Sequence, residues 1–218
     1  MPRPRTISDE AILDAVLALA HRVGPARVTF AAAAAETGLS AATLVQRFGT
    51  KRDLLLAADK RGIDLWVGAL GRSTAASPLA RVVEGLVLAA DPHATPEQMA
   101  NSVAMLQLDL ADPDFHAETL RGARAVRARI ARDLNAALAA GELRPDTDIA
   151  VLAKLIETTY HGAMIGWAIH RENTLAHWMR DQVEAVLAPH RTELAHRSQG
   201  ESVPTSSLPG YPSRKPNP

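Results

Sequence analysis

Residues 29–55 read TFAAAAAETGLSAATLVQRFGTKRDLL, and the punctuation of this stretch decides the fold. An alanine-rich run favourable to helix stops at Gly38, a second run begins at Ser40, and Gly49-Thr50 breaks that run ahead of Lys51. Glycine takes positive φ without steric cost, which suits Gly38 to a tight turn. Ser40 can cap a new helix by accepting a hydrogen bond from a free backbone N–H. Two short helices, Phe30 to Thr37 and Ala41 to Arg47, joined in this way have helix-turn-helix spacing, with the second as the reading helix. Alanine fills little space, so the two helices approach closely or Phe30, Leu44 and Phe48 fill the middle. Phe48 is therefore read as core and not as a base-stacking residue.

Working outward, Ser8 followed by Asp9 and Glu10 signals a helix start, with Ile12, Leu13, Val16, Leu17, Ala20 and Val23 at helical spacing and Gly24-Pro25 as its stop. Thr50 and Asp53 fit a capping box for the helix carrying Leu54, Leu55, Ala58, Ile63, Leu65, Trp66 and Leu70. Pro78 restarts a helix to about Ala90, and Glu97 to Ala111 follows with Met99, Val103, Leu106 and Leu110 on one face. Asp112-Pro113-Asp114 opens a helix to Ala140, rich in arginine. Its arginines are read as a solvated face, with Glu118 and Asp133 as natural partners. Asp148 caps Ile149 to about His170. In that helix Ile149, Leu152, Ile156, Tyr160, Ala163 and Trp167 share one side, while Val151, Leu155, Thr158, Gly162, Ile165 and Ile169 share the other. A helix apolar on both sides is buried on both. Thr158, Gly162 and Gly166 advance by four residues and let a second helix come close. With Trp178, Val183 and Val186 of the last helix they form the expected interface of a four-helix bundle between two copies.

Gly38-Leu39-Ser40, Thr43-Leu44, Phe48, Lys51 and Leu54-Leu55 resemble the DNA-binding domain of the tetracycline-repressor (TetR) family. The rest of the chain resembles that family in being all-helical, in its length, and in the segment from Asp112-Pro113 to the Gly141-Glu142-Leu143 turn. The resemblance implies an all-α fold: a three-helix helix-turn-helix domain at residues 1–50, and a connector helix leading into an effector-binding and dimerisation domain at 51–197. Residues 198–218, rich in Ser, Pro and Gly, read as a disordered tail. It further implies a homodimeric, ligand-responsive regulator of double-stranded operator DNA, in which Thr29, Arg47 and Lys51 hold phosphates and Ala41, Ala42, Thr43 and Gln46 face bases. Val45 stands where the family usually has a phosphate-contacting tyrosine. Trp66, Met105, Leu106, Tyr160, His161, Met164 and Trp167 are the pocket candidates for a small apolar or aromatic effector.

Lysine plus arginine and aspartate plus glutamate balance at 24 each, so any charge for nucleic acid is local. Residues 1–55 hold seven basic side chains against five acidic, gathered at the N-terminus and at Arg47 to Arg52. Arg3 and Arg5, spaced by prolines, form an extended arm of the kind that enters a minor groove. The chain has no cysteine. Neither a signal peptide nor a membrane span is legible, and a cytoplasmic location is expected. No phosphate loop, nucleophile elbow or dinucleotide fingerprint occurs, and Glu157 with His161 lacks a third ligand, so no catalytic residue, metal or cofactor is expected. The residues also leave open a helical carrier or enzyme with a structural N-terminal unit, and a DNA-binding protein without sequence preference.

Overall fold

The computed structural model describes residues 7–91 and 93–192; Arg3, Arg5 and the 198–218 segment lie outside them. Within the described residues the chain is all-helical. Helix α1 (Asp9–Val23) is capped by Ser8, whose hydroxyl accepts from the Ala11 N–H, and it ends at Gly24 with φ of 82°. Helix α2 (Phe30–Thr37) is capped by Thr29 and closes at Gly38 in the left-handed region, φ 70° and ψ 12°. Helix α3 (Ala41–Phe48) is capped by Ser40. Helix α4 (Lys51–Ala69) opens on the Thr50–Asp53 capping box that the sequence predicts. Helices α5 (Pro78–Ala89), α6 (Pro96–Ala111), α7 (Pro113–Ala139), α8 (Ile149–His170) and α9 (Leu175–Leu187) follow. Each has a side-chain N-cap, respectively Ser77, Thr95, Asp112, Asp148 and Thr174. Such caps satisfy donors that a helix start otherwise leaves orphaned, which is why the boundaries follow the sequence so closely.

Two apolar clusters organise these helices. Ile12, Val16, Leu19, Val28, Ala33 and Leu44 form the first together with Leu54, Leu55 and Ala58 of α4 and Phe115 of α7. Phe30 and Phe48 pack on its margin. The second gathers α5, α7, α8 and α9 around Leu86, Val126, Ile130, Leu134, Leu152, Ile156, Tyr160 and Met179. Helices α4 and α7 take part in both. They approach closely at Gly122, where an added Cβ would lie 2.6 Å from Ile63 Cγ2. Two arginines of α7 find the expected partners, Arg121 with Glu118 and Arg129 with Asp133; Arg121 also binds Asp64 of α4, and Arg127 reaches the buried Glu157 of α8.

Helix α6 corrects the sequence reading. Met99 is buried, but Val103 is exposed and Leu110 is 68% exposed, while Asp109 turns inward. The helix is wedged among α1, α7 and α8. Several faces are covered at once, and periodicity alone does not say which. Helix α5 crosses the end of α4 closely enough that a Cβ on Gly85 would stand 2.8 Å from the Leu70 carbonyl oxygen. Backbone cannot move aside as a side-chain end can, so Gly85→Ala is expected to destabilise the chain by roughly 1–3 kcal/mol, read as a lowered urea midpoint with unchanged slope. An unchanged midpoint would show that the two helices part without cost.

Candidate reading helix and effector cavity

Helix α3 presents Ala42, Val45, Gln46 and Arg47 to solvent and anchors itself through Leu44, which is fully buried. Ala41 and Thr43 are half-buried. The Thr43 hydroxyl shares a 2.8 Å hydrogen bond with that of Ser40, and Ser40 accepts from the Thr43 N–H at 3.0 Å. Thr29 is exposed and caps α2 by accepting from the Ala32 N–H at 3.0 Å.

The basic cluster read from residues 47 to 52 is largely tied within the chain. Arg47 donates to the Ile7 carbonyl at 3.0 Å and to Asp9 at 3.2 Å, so its guanidinium fastens the segment before α1 beside the reading helix. Lys51 donates to the Ala26 carbonyl at 2.7 Å, which leaves two of its three ammonium donors uncommitted by that bond. Arg52 donates to Asp112 and Asp114, at 2.6 to 2.8 Å, and lies over the Phe115 ring. The first turn of α4 is thereby clasped to the start of α7. Sequence reasoning missed this clasp, because its partners are about sixty residues apart.

Six of the seven pocket candidates, Trp66, Met105, Leu106, Tyr160, His161 and Met164, line one cavity of about 490 Å³ between α1, α4, α6, α7 and α8. Trp66 donates to the Tyr160 hydroxyl at 2.8 Å and stacks on its ring at 5.9 Å between centroids. His161 stands edge-on to Tyr160 at 5.3 Å. Desolvation lowers the His161 pKa against a smaller opposing pull from Glu157, and burial raises that of the Tyr160 phenol. Trp167 is the exception. It packs into the second core and donates to the Asn173 carbonyl at 3.3 Å, because it follows Tyr160 by seven residues on the inward face of α8. A second groove of about 700 Å³ between the end of α1 and α6 contains none of the candidates.

The cavity also holds groups that the sequence reading did not place there. Asp59 of α4 and Asp109 of α6 line it together with Thr119 of α7. Asp109 is only 9% exposed. Burial, then the neighbouring Asp109 and Glu118 charges, pushes the Asp59 carboxyl up to about 7. Burial pushes Asp109 up to about 6, against the opposing influence of Thr119. A signal was legible: Leu55, Asp59, Gly62 and Trp66 lie on one side of α4, so the aspartate interrupts a stripe that otherwise faces inward.

On α8 the outward stripe of Val151, Leu155, Thr158, Gly162, Ile165 and Ile169 is exposed, Ile169 by 71%. Open space surrounds Gly162, whereas Gly166 makes room for Trp178 of the same chain, whose ring would lie 3.6 Å from an added Cβ. Trp178 and Val186 are half-buried. Val183, expected between two copies, is 0% exposed within this chain's own core, since α9 turns Leu175, Met179, Val183 and Leu187 inward.

Two family models match this arrangement. Residues 12–58 match the bacterial regulatory proteins of the tetR family, and residues 101–183 match the tetracyclin repressor-like C-terminal domain. The chain belongs to the TetR family. No curated protein matches it. Among solved structures, a TetR transcription regulator from Haloarcula marismortui superposes with a TM-score of 0.73 at 19% identity, covering 85% of this chain and 100% of that one. A putative transcriptional regulator from Saccharomonospora viridis, in complex with choline, gives 0.69 at 22% identity over 81% and 93%. SmeT, the repressor of the Stenotrophomonas maltophilia multidrug efflux pump SmeDEF, gives 0.65 at 21% over 95% and 98%.

As a TetR-family member the chain is a DNA-binding transcriptional regulator and not an enzyme. Among the described residues, no helix is long and apolar enough to cross a membrane. The cavity of this TetR-family chain carries a measurable signature. Because Asp59 and Asp109 bind protons more tightly in the folded state than in the unfolded, the stability they contribute is full below about pH 4 and is lost as pH rises toward 7. His21 and His161, whose pKa values are lowered, act in the opposite sense, but equally in a variant that changes only the aspartates. The Asp59→Asn/Asp109→Asn variant should therefore gain thermal stability over the wild type as pH rises from about 5 to about 8. A constant difference across that range would mean that neither carboxyl is perturbed.

Proposed function

We propose that this regulator acts as a homodimer on a near-palindromic operator, probing bases with α3 and releasing or resetting when a small, largely apolar or aromatic effector enters the cavity. The division of labour follows the sequence reading, with residues 1–50 reading DNA and residues 51–197 taking the effector and pairing the subunits. The observation that carries the reading is the capped helix α3, pinned by Leu44 from beneath and presenting Ala42, Val45 and Gln46 to solvent. Ala41, Ala42, Thr43 and Gln46 face bases. Gln46 can pair bidentately with adenine N6 and N7, and the alanine methyls suit a thymine methyl, so an A·T-leaning half-site follows. Val45 adds a further apolar contact in place of the family's tyrosine. Thr29 and Lys51 hold phosphates. Arg47 serves chiefly to hold Ile7 beside α3.

The exposed outer stripe of α8, with Thr158 and Gly162 at its centre, is the proposed dimer seam, bordered by Gly166, Trp178 and Val186. Transmission runs through α4 and α7. Both line the cavity, and the Arg52 clasp joins their ends beside the reading domain. An effector that fits one spacing of the two reading helices better than the other shifts the population by that difference in affinity. A relative solved with choline and SmeT solved with triclosan are in keeping with small-molecule effectors on this fold.

Binding of a base-substituted duplex series to wild type, Gln46→Ala and Lys51→Ala tests the assignments. Gln46→Ala should lose about 1–3 kcal/mol of discrimination at one base pair per half-site. Lys51→Ala should weaken all duplexes alike and reduce the salt slope by about one per subunit. Uniform weakening by Gln46→Ala, or an unchanged slope for Lys51→Ala, would contradict the respective role.

A further inference from the structure

Asp59 Oδ2, Asp109 Oδ1 and Thr119 Oγ1 are buried without a hydrogen bond of ordinary geometry among the described residues, although the Thr119 hydroxyl lies close enough to Asp109 to oppose the rise in its pKa. They come from three different helices, α4, α6 and α7, and all three residues line the same cavity. A buried carboxylate oxygen without a donor is costly, and a second carboxylate close by makes both harder to ionise. The lining contains three aspartates, the third being Asp91, and no lysine or arginine. What this polar corner lacks is positive charge with N–H donors. Gln98, Ser102, His21 and His161 also reach the lining, but most of the wall is apolar or aromatic: Trp66, Met105, Leu106 and Met164 would cover a hydrocarbon body, and aromatic faces attract a cation.

We propose that the effector is an amine, protonated at neutral pH and carried on an apolar body, whose ammonium group donates to Asp59 and Asp109 while its hydrocarbon lies against Trp66 and the cavity methionines. This inference rests on the reading of the cavity as the effector site and names the chemistry of its ligand. A protonated amine satisfies the orphan acceptors, which a quaternary ammonium cannot do because it has no N–H. An alcohol supplies one donor but no charge. Binding draws the two carboxyls into their ionised form, so it strengthens as pH rises through the range in which they titrate. The other titratable groups facing them act in the same direction or stay fixed. His21 of α1 and His161 of α8 lose positive charge over the same rise. Glu118 of α7 remains ionised, held by Arg121 and Lys60. Asp91, at the end of α5, adds negative charge.

Isothermal titration of the full chain with octylamine, octyltrimethylammonium and octanol tests the proposal, since the three share one hydrocarbon body. Near pH 8, octylamine should bind at least about tenfold more tightly than octanol, with octyltrimethylammonium between them. Lowering the pH to about 5.5 should remove most of that preference without changing octanol affinity. In Asp59→Asn/Asp109→Asn the preference should vanish while octanol still binds, which shows the cavity intact. Equal affinity for octylamine and octanol, a preference that survives in the double variant, or a quaternary probe bound as tightly as the amine would each overturn the proposal. A chain that recognises its operator yet binds amine and alcohol alike keeps its regulatory reading and loses only this one. A chain that prefers the amine but never changes its DNA affinity keeps the amine site and loses the effector role.

Discussion

Leu155→Glu is expected to abolish the dimer and, with it, to weaken operator binding at least about 100-fold, because two linked reading helices gain that much over one from effective concentration alone. Leu155 is 46% exposed on the outer stripe of α8 and contributes to neither core cluster. A carboxylate there costs the folded subunit little. Across a two-fold seam the same carboxylate is desolvated and placed near its own copy, which is strongly unfavourable. Sedimentation should show a monomer with an unchanged helical circular-dichroism spectrum. A dimer that persists at micromolar concentration would remove the α8 stripe from the interface.

Leu44→Ala produces the opposite separation. Leu44 is fully buried between the turn and the first core, and its truncation should destabilise the N-terminal unit by about 2–5 kcal/mol through lost burial and the cavity left behind. Ala33 is the fully buried side chain of α2, while Phe30, Leu39 and Phe48 pack only on the margin of this core, so Leu44 is the main large anchor of α2 and α3. DNA binding should be lost at a temperature at which the second core remains folded, so the variant should still dimerise. Amide exchange should show protection falling in α2 and α3 before it falls in α8. Uniform loss of protection would show that the two cores unfold together.

How far the sequence carried this picture depends on the range of the interaction. Helix starts at Ser8, Thr29, Ser40, Thr50, Asp112 and Asp148 were readable because a cap acts within three residues. The left-handed turn at Gly38 was readable for the same reason. The two faces of α8 were separable by periodicity, and the structure buries Ile156 and Tyr160 while exposing Leu155 and Ile169. What lies between those faces was not separable. Trp167 and Val183 have the right composition for a pocket and a seam, but the phase of their helices turns them into the subunit core. The cation pairs were hidden by distance along the chain: nothing near Arg47 or Arg52 announces Ile7, Asp9, Asp112 or Asp114 as partners. Asp59 is betrayed by the inward stripe of α4 that it interrupts, but Asp109 shows no such sign until α4, α6 and α7 enclose it.

Selection of bound duplexes from a random pool by the purified chain, at physiological salt, separates a dimeric reader of one sequence from a binder without preference. An enriched inverted repeat is expected, leaning to A·T at the positions faced by Ala42 and Gln46. Its half-sites should be centred about one helical turn, some 34–36 Å, apart or a multiple of that spacing. Enrichment with no shared motif, or no enrichment at all, would contradict sequence-specific reading by a dimer.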